Sequence, residues 1–136
     1  MTAKEFLRQA RNIDRRIDAA IERRERMRAR LETGRLSTLS GMPRGGAHPW
    51  TDIADRMIDR DRILDEQVRR MVRLKLAAVD AIAAVEDARM REVLELYYLD
   101  GYKWDQVAER MELDARQVFR LHGKALQRIE VPEGVK

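Results

Sequence analysis

Arg116, Arg120, Lys124 and Arg128 recur at every fourth position, and no Asp or Glu interrupts residues 115–129. On an α-helix that spacing holds all four cations near one face. With each residue turned by ~100°, Val118, Leu121, Ala125 and Ile129 fall on the opposite arc. The chemistry open to such a helix is electrostatic rather than covalent. Apolar behind and purely basic in front, it suits a polyanion, with double-stranded DNA the first candidate. A solvated basic surface helix is the plainer alternative. The capping, turn and core positions around it all agree with DNA binding and argue against that alternative.

Those positions belong to the segment that must present the basic face. Glu92 to Leu99 has helical apolar spacing, and Asp100-Gly101 is expected to stop it, since Gly accepts the left-handed conformation of a helix end. Trp104 to Met111 reads as a short helix with Val107, Ala108 and Met111 inward, and Glu112-Leu113-Asp114 as a tight turn. Asp114 is a good N-cap, and Gln117 completes the capping-box spacing. A short helix, a turn and a capped basic helix match the module whose second helix enters the major groove. In that arrangement Arg116, Gln117 and Arg120 reach base edges, Arg pairing with guanine and Gln with adenine. Lys124 and Arg128 lie further along and meet phosphates, and Phe119 and Gln127 complete the outward set. His122 sits beside the basic face, where phosphate contact and partial packing are evenly matched readings. Gly123 costs ~1 kcal/mol in a helix relative to Ala, and close approach of a DNA backbone would account for it. Trp104 is expected chiefly as a packing anchor among Tyr97, Tyr98 and Tyr102, with an indole N–H able to meet a phosphate as the lesser reading.

The stretch Glu92–Ile129 resembles the promoter-binding C-terminal region (region 4) of bacterial sigma factors. There a helix ends in a Gly turn and a Glu-Ile-Ala-Glu-like helix follows; here it reads Asp105-Gln-Val-Ala-Glu-Arg-Met111. Gln117-Val-Phe-Arg-Leu121 and Gly123-Lys-Ala-Leu126 match the recognition helix and its Lys-Ala-Leu continuation. The remainder does not look like a sigma factor, because the regions that bind polymerase and melt promoters are absent. The whole chain, from Met-Thr-Ala-Lys-Glu-Phe-Leu7 to Arg120-Leu-His-Gly-Lys-Ala-Leu126, is similar to small phage and prophage proteins of Gram-positive bacteria. The resemblance implies a sigma-like transcriptional regulator, with double-stranded DNA as ligand and RNA polymerase as a further partner.

Two long helices are expected upstream. Phe6, Ala10, Ile13, Ile17, Ala20, Met27 and Leu31 follow alternating four- and three-residue steps over Ala3–Glu32, a weak coiled-coil seam that Arg24 interrupts. A second helix is expected from Trp50 or Thr51 to about Val85, with Ile53, Met57, Leu64, Val68, Val72, Val79 and Ile82 inward. Between them residues 33–49, rich in Gly, Pro and Ser/Thr, read as a loop. The expectation is thus an all-α chain: a long antiparallel hairpin over 1–87, a helix-turn-helix over 88–130, and a tail over 131–136. The hairpin would close within one chain or across a homodimer.

Composition removes other classes. Cys is absent, which excludes disulfides, zinc fingers and thiol catalysis together. No apolar run could span a membrane, and Lys4, Arg8 and Arg11 precede no apolar core of a signal peptide, so a cytoplasmic protein is expected. Gly45-Gly46 lacks a following Gly-Lys-Ser/Thr, and neither His48 nor His122 has a carboxylate cluster of metal-ligand spacing. No catalytic constellation, metal or cofactor site is legible, and no enzyme is expected. Two functional classes follow: a sequence-specific DNA-binding regulator, or a DNA-packaging component, small-terminase-like, whose hairpin oligomerises.

Overall fold

The computed structural model describes residues 1–39 and 49–135, with side chains described over 1–33 and 52–134. Among these the chain is all helical, and no strand occurs. The elements are α1 (Ala3–Ala10), α2 (Ile13–Leu39), α3 (Pro49–Ala83), α4 (Ala88–Leu94), a π-helical turn (Glu95–Leu99), α5 (Trp104–Met111), α6 (Ala115–Gln127) and a 3-10 turn (Glu133–Val135). They group into two compact units, one of Met1–Asp14 with Met71–Lys136, the other of Arg15–Arg70. The unit that holds α6 therefore also includes α1 and the C-terminal end of α3 from Met71, a different grouping from a simple division at 87/88.

The single helix expected over Ala3–Glu32 is two helices. Thr2 opens α1 with a capping box: its hydroxyl accepts from the Glu5 amide at 3.2 Å, and the Glu5 carboxylate accepts from the Thr2 amide at 3.0 Å. At Asn12 the backbone turns left-handed, with φ +62°. Asn tolerates that conformation far better than a β-branched residue, which is why the helix breaks here and not at Ile13. The apolar periodicity survives the break because Ile13 still faces inward, so spacing alone did not betray it.

The loop expected over 33–49 is also corrected at its start, since α2 continues to Leu39. The Thr33 hydroxyl donates back to the Ala29 carbonyl at 2.9 Å within the helix, and a lone Gly34 costs only ~1 kcal/mol of propensity. Residues 40–48, with His48 and the Gly45-Gly46 pair, lie outside the described residues.

In the unit of Arg15–Arg70, Arg24 pairs with Asp65 and Arg28 with Asp61. A step of four up α2 is matched by a step of four down α3, so the helices run antiparallel there. The cation that interrupts the apolar seam of α2 thus meets a carboxylate on α3. Of the inward set expected for α3, Val68 and Ile82 are buried and Met57, Leu64 and Val79 are half-buried. Ile53 (46% exposed) and Val72 are exposed instead, because a 35-residue helix drifts ~20° per heptad and cannot keep one seam inward throughout.

The unit containing α6 has a continuous apolar core. Phe6, Leu7 and Ala10 of α1 meet Ala78 and Ile82 of α3, Leu94 and Tyr98 before the Gly turn, Ala125 of α6 and Ile129 just beyond it. Phe6 and Leu7 are completely shielded. In the same unit Lys75 of α3 pairs with Asp14. Helix α6 packs against α4, α5 and α1, and α1 packs also on the π-helical turn. Those contacts bring the N-terminal helix to the C-terminal module.

Candidate nucleic-acid interface

Helix α6 is fixed at its start by reciprocal hydrogen bonds. The Asp114 carboxylate accepts from the Gln117 amide at 2.8 Å, and the Gln117 side-chain oxygen accepts from the Asp114 amide at 3.2 Å. This is the capping box that the sequence predicted. It also commits the Gln117 carbonyl oxygen, leaving its amide hydrogens for an outside partner. Bidentate pairing of Gln117 with adenine, which needs both ends, would have to open the cap. The turn ahead closes on Glu112 in the left-handed conformation, φ +57°, with the Leu113 amide donating to the Ala108 carbonyl at 3.0 Å.

The two arcs of α6 are as expected at most positions. Val118, Ala125 and Ile129 are buried and Leu121 is half-buried. Arg116, Gln117, Arg120, Gly123, Lys124, Gln127 and Arg128 are exposed. Neither the three α6 cations, Arg116, Arg120 and Lys124, nor Arg128 at its C-cap lies within ion-pair distance of a carboxylate among the described residues. Their charge faces solvent uncompensated by near neighbours. Around Gly123 there is open space: a Cβ added there would meet nothing within 4 Å. No packing inside the chain therefore requires a glycine.

His122 departs from the outward set. It is 9% exposed, and its Nε2 lies 2.7 Å from the Tyr98 hydroxyl. Burial, with Lys4 nearby, pushes the imidazole down to about 4, while burial pushes the Tyr98 phenol up to about 12. Both shifts favour the neutral pair, a phenol and an uncharged imidazole sharing one hydrogen bond. A neutral, inward imidazole is not a phosphate ligand, and His122 is corrected to a core residue. Its apolar-arc position, one residue from Leu121, was the available signal.

Trp104 is half-buried in an aromatic cluster. Its indole stacks on Tyr97 with centroids 3.8 Å apart and planes 11° from parallel, and meets Phe119 edge-on at 5.4 Å and His122 at 4.6 Å. The packing role expected for it is the one observed. Phe119 is 51% exposed and stands at the rim of this cluster.

Arg11 was not singled out by the sequence. Its guanidinium stands 4.2 Å over the Tyr97 ring and donates to the carbonyls of Tyr97 (3.2 Å), Gly101 (3.4 Å) and Tyr102 (3.2 Å). These are carbonyls at and beyond the end of the π-helical turn, where helical partners run out and a cation is favoured. Gly101 takes φ +79°, and a Cβ there would come within 3.0 Å of the Asn12 side-chain oxygen. The left-handed break after α1 and the left-handed turn before α5 thus interlock. A recess of about 220 Å³ opens beside them, lined by Lys4, Arg8, Tyr97, Tyr98, Trp104, Phe119 and His122.

No family model, curated protein or solved structure matches this chain. The residues and their geometry therefore have to carry the functional reading. Among the described residues no helix is long and apolar enough to cross a membrane, and no group of three or more His, Asp or Glu could hold a metal ion.

Proposed function

We propose that the chain is a sequence-specific DNA-binding transcriptional regulator of phage or prophage origin, acting in the cytoplasm as a binding protein rather than an enzyme. The observation that carries this reading is α6 itself. Capped by Asp114 and packed through Val118 and Ala125, it turns Arg116, Arg120 and Lys124, with Arg128 at its C-cap, to solvent without carboxylate partners among the described residues. A rigid helix with an uncompensated cationic face, reached through a three-residue turn (112–114) from α5, fits a DNA major groove. The sigma-like sequence of the same stretch makes RNA polymerase a second proposed partner.

A homodimer through the long helices is part of the proposal. Val72 and Leu76 (57% exposed) leave an apolar strip on α3, and Arg73 and Asp80, seven residues apart, flank it. Paired antiparallel with a second copy, each Arg73 would face the other copy's Asp80, a self-complementary arrangement of charge.

Selection of bound fragments from the source genome, followed by sequencing, tests the reading. A recurrent motif, enriched by wild-type protein and lost with Arg120→Ala, is the expected result. Fragments recovered at random, from a protein that binds duplex DNA only at very low salt, would overturn sequence-specific regulation.

A further inference from the structure

We propose that α1 is a second DNA-contacting element, in which Lys4 and Arg8 hold the phosphodiester backbone on one wall of the groove that α6 enters, with Phe119 bridging the two helices. This rests on the DNA-binding reading of α6 and extends it to residues more than 100 positions away in the chain.

Lys4 and Arg8 are one helical turn apart on α1, so both lie on one face, turned away from the buried Phe6 and Ala10. They are exposed, and they share the rim of the aromatic recess with Trp104 and Phe119. Like the α6 cations, neither lies within ion-pair distance of a carboxylate among the described residues. Arg24, Arg28 and Lys75 are paired across helices. Like charges one turn apart on a helix repel each other modestly, and an anion held between them relieves that repulsion.

Helix α6 shows where that anion would run. At ~100° per residue, Phe119 lies ~60° from Arg116 on one side, with Gly123 between them, while Arg120 and Lys124 lie on the other. Crossing the exposed surface from α1 one therefore meets Lys4 and Arg8, then Phe119, then Gly123, then the cations of α6. A major groove is only ~12 Å wide, so a helix flanking the one inside it meets the sugar-phosphate wall. A half-exposed Phe suits the deoxyribose face of that wall, and Gly123 admits close approach beside it. Contacts of this kind add affinity and fix register without reading sequence.

The test uses the full chain and two duplexes, one selected by the wild-type protein and one scrambled, in anisotropy titrations over a range of salt concentrations. Lys4→Ala and Arg8→Ala keep helix propensity, and thermal melting checks that each variant folds. Each should weaken both duplexes equally and lower the slope of log affinity against log salt by about one unit, the double variant by about two. Arg8→Lys should restore most of the slope. An unchanged slope in the double variant, with Arg120→Ala still impaired, overturns the role of α1 and leaves α6 standing. A change confined to the selected duplex also overturns it, since that would place Lys4 or Arg8 at base edges. Saturable quenching of tryptophan fluorescence by inorganic phosphate, lost in the double variant while the DNA slope stays unchanged, would assign the recess to a free anion and overturn it too. If wild-type protein shows no salt-dependent binding to either duplex, the reading of α6 falls, and this inference with it.

Discussion

The Tyr98–His122 hydrogen bond is a polar contact inside an aromatic core, where burial holds the imidazole neutral. Folding lowers the His122 pKa from 6.5 to about 4. The unfolded chain therefore binds more protons between those values, and acidification favours it. The stability tied to His122 is fully present above 6.5 and is lost as pH falls toward 4. A shift of that size corresponds to ~3 kcal/mol for a group so little exposed. Urea unfolding of wild type and His122→Gln across this range checks it. The wild-type advantage should shrink by about that amount on acidification, whereas a constant difference would contradict a neutral buried imidazole. Gly123 supports a second prediction at this scale. With open space where a Cβ would sit, Gly123→Ala should raise the melting stability by ~1 kcal/mol. If DNA approaches there, the same variant should bind DNA more weakly despite its greater stability, a divergence that melting and titration together would reveal.

At the scale of elements, α1 and the π-helical turn hold one another. Arg11 donates to carbonyls of Tyr97, Gly101 and Tyr102, which burial of its neighbours leaves with few alternatives. Arg11→Ala should cost ~2–3 kcal/mol, in the range of charge-assisted hydrogen bonds. Phe6→Ala, which empties a fully shielded site, should cost ~3–5 kcal/mol. Urea midpoints read at the near-ultraviolet signal of the aromatic cluster would measure both. A loss below ~0.5 kcal/mol for Arg11→Ala would mean that water replaces the guanidinium without penalty.

These same elements mark how far the sequence could be read. The α5–turn–α6 segment was legible because its signals are local: a capping pair at Asp114 and Gln117, a turn, and cations at helical spacing. The extents of α3 and the Gly101 turn were legible for the same reason. The break at Asn12 was not, because it depends on Arg11 and Gly101, partners separated by 90 residues. The π-helical turn left no periodicity of its own within five residues. His122 was ambiguous because a histidine next to a basic face looks the same in sequence whether it turns outward or toward Tyr98. Lys4 and Arg8 were read only as residues preceding no apolar core, since nothing local links α1 to α6.

At the scale of the whole molecule, charge is partitioned in a way that the net value hides. Residues 15–70 hold 14 Lys/Arg and 10 Asp/Glu, giving 14 − 10 = +4, while residues 1–14 with 71–136 hold 14 of each and are neutral. The net +4 thus belongs to the unit without α6. The proposed attraction for DNA would therefore have to come from the local face of this neutral unit, where cations are exposed, and not from a global field. The proposed homodimer is the other prediction at this scale. Leu76→Glu, placed in the exposed strip of α3, should convert a dimer to a monomer in light scattering and make the melting temperature independent of protein concentration. An unaltered mass would remove α3 from the interface.

The most direct test of the central claim, that α6 reads DNA, compares wild type, Arg120→Ala and Lys124→Ala on a selected and a scrambled duplex at several salt concentrations. Arg120→Ala is expected to cost ~1–3 kcal/mol on the selected site and to relax preference at one base pair. Lys124→Ala is expected to weaken both duplexes alike and to reduce the salt slope by about one unit. Equal weakening of every sequence by Arg120→Ala, or the absence of salt-dependent DNA binding by wild-type protein, would contradict the account.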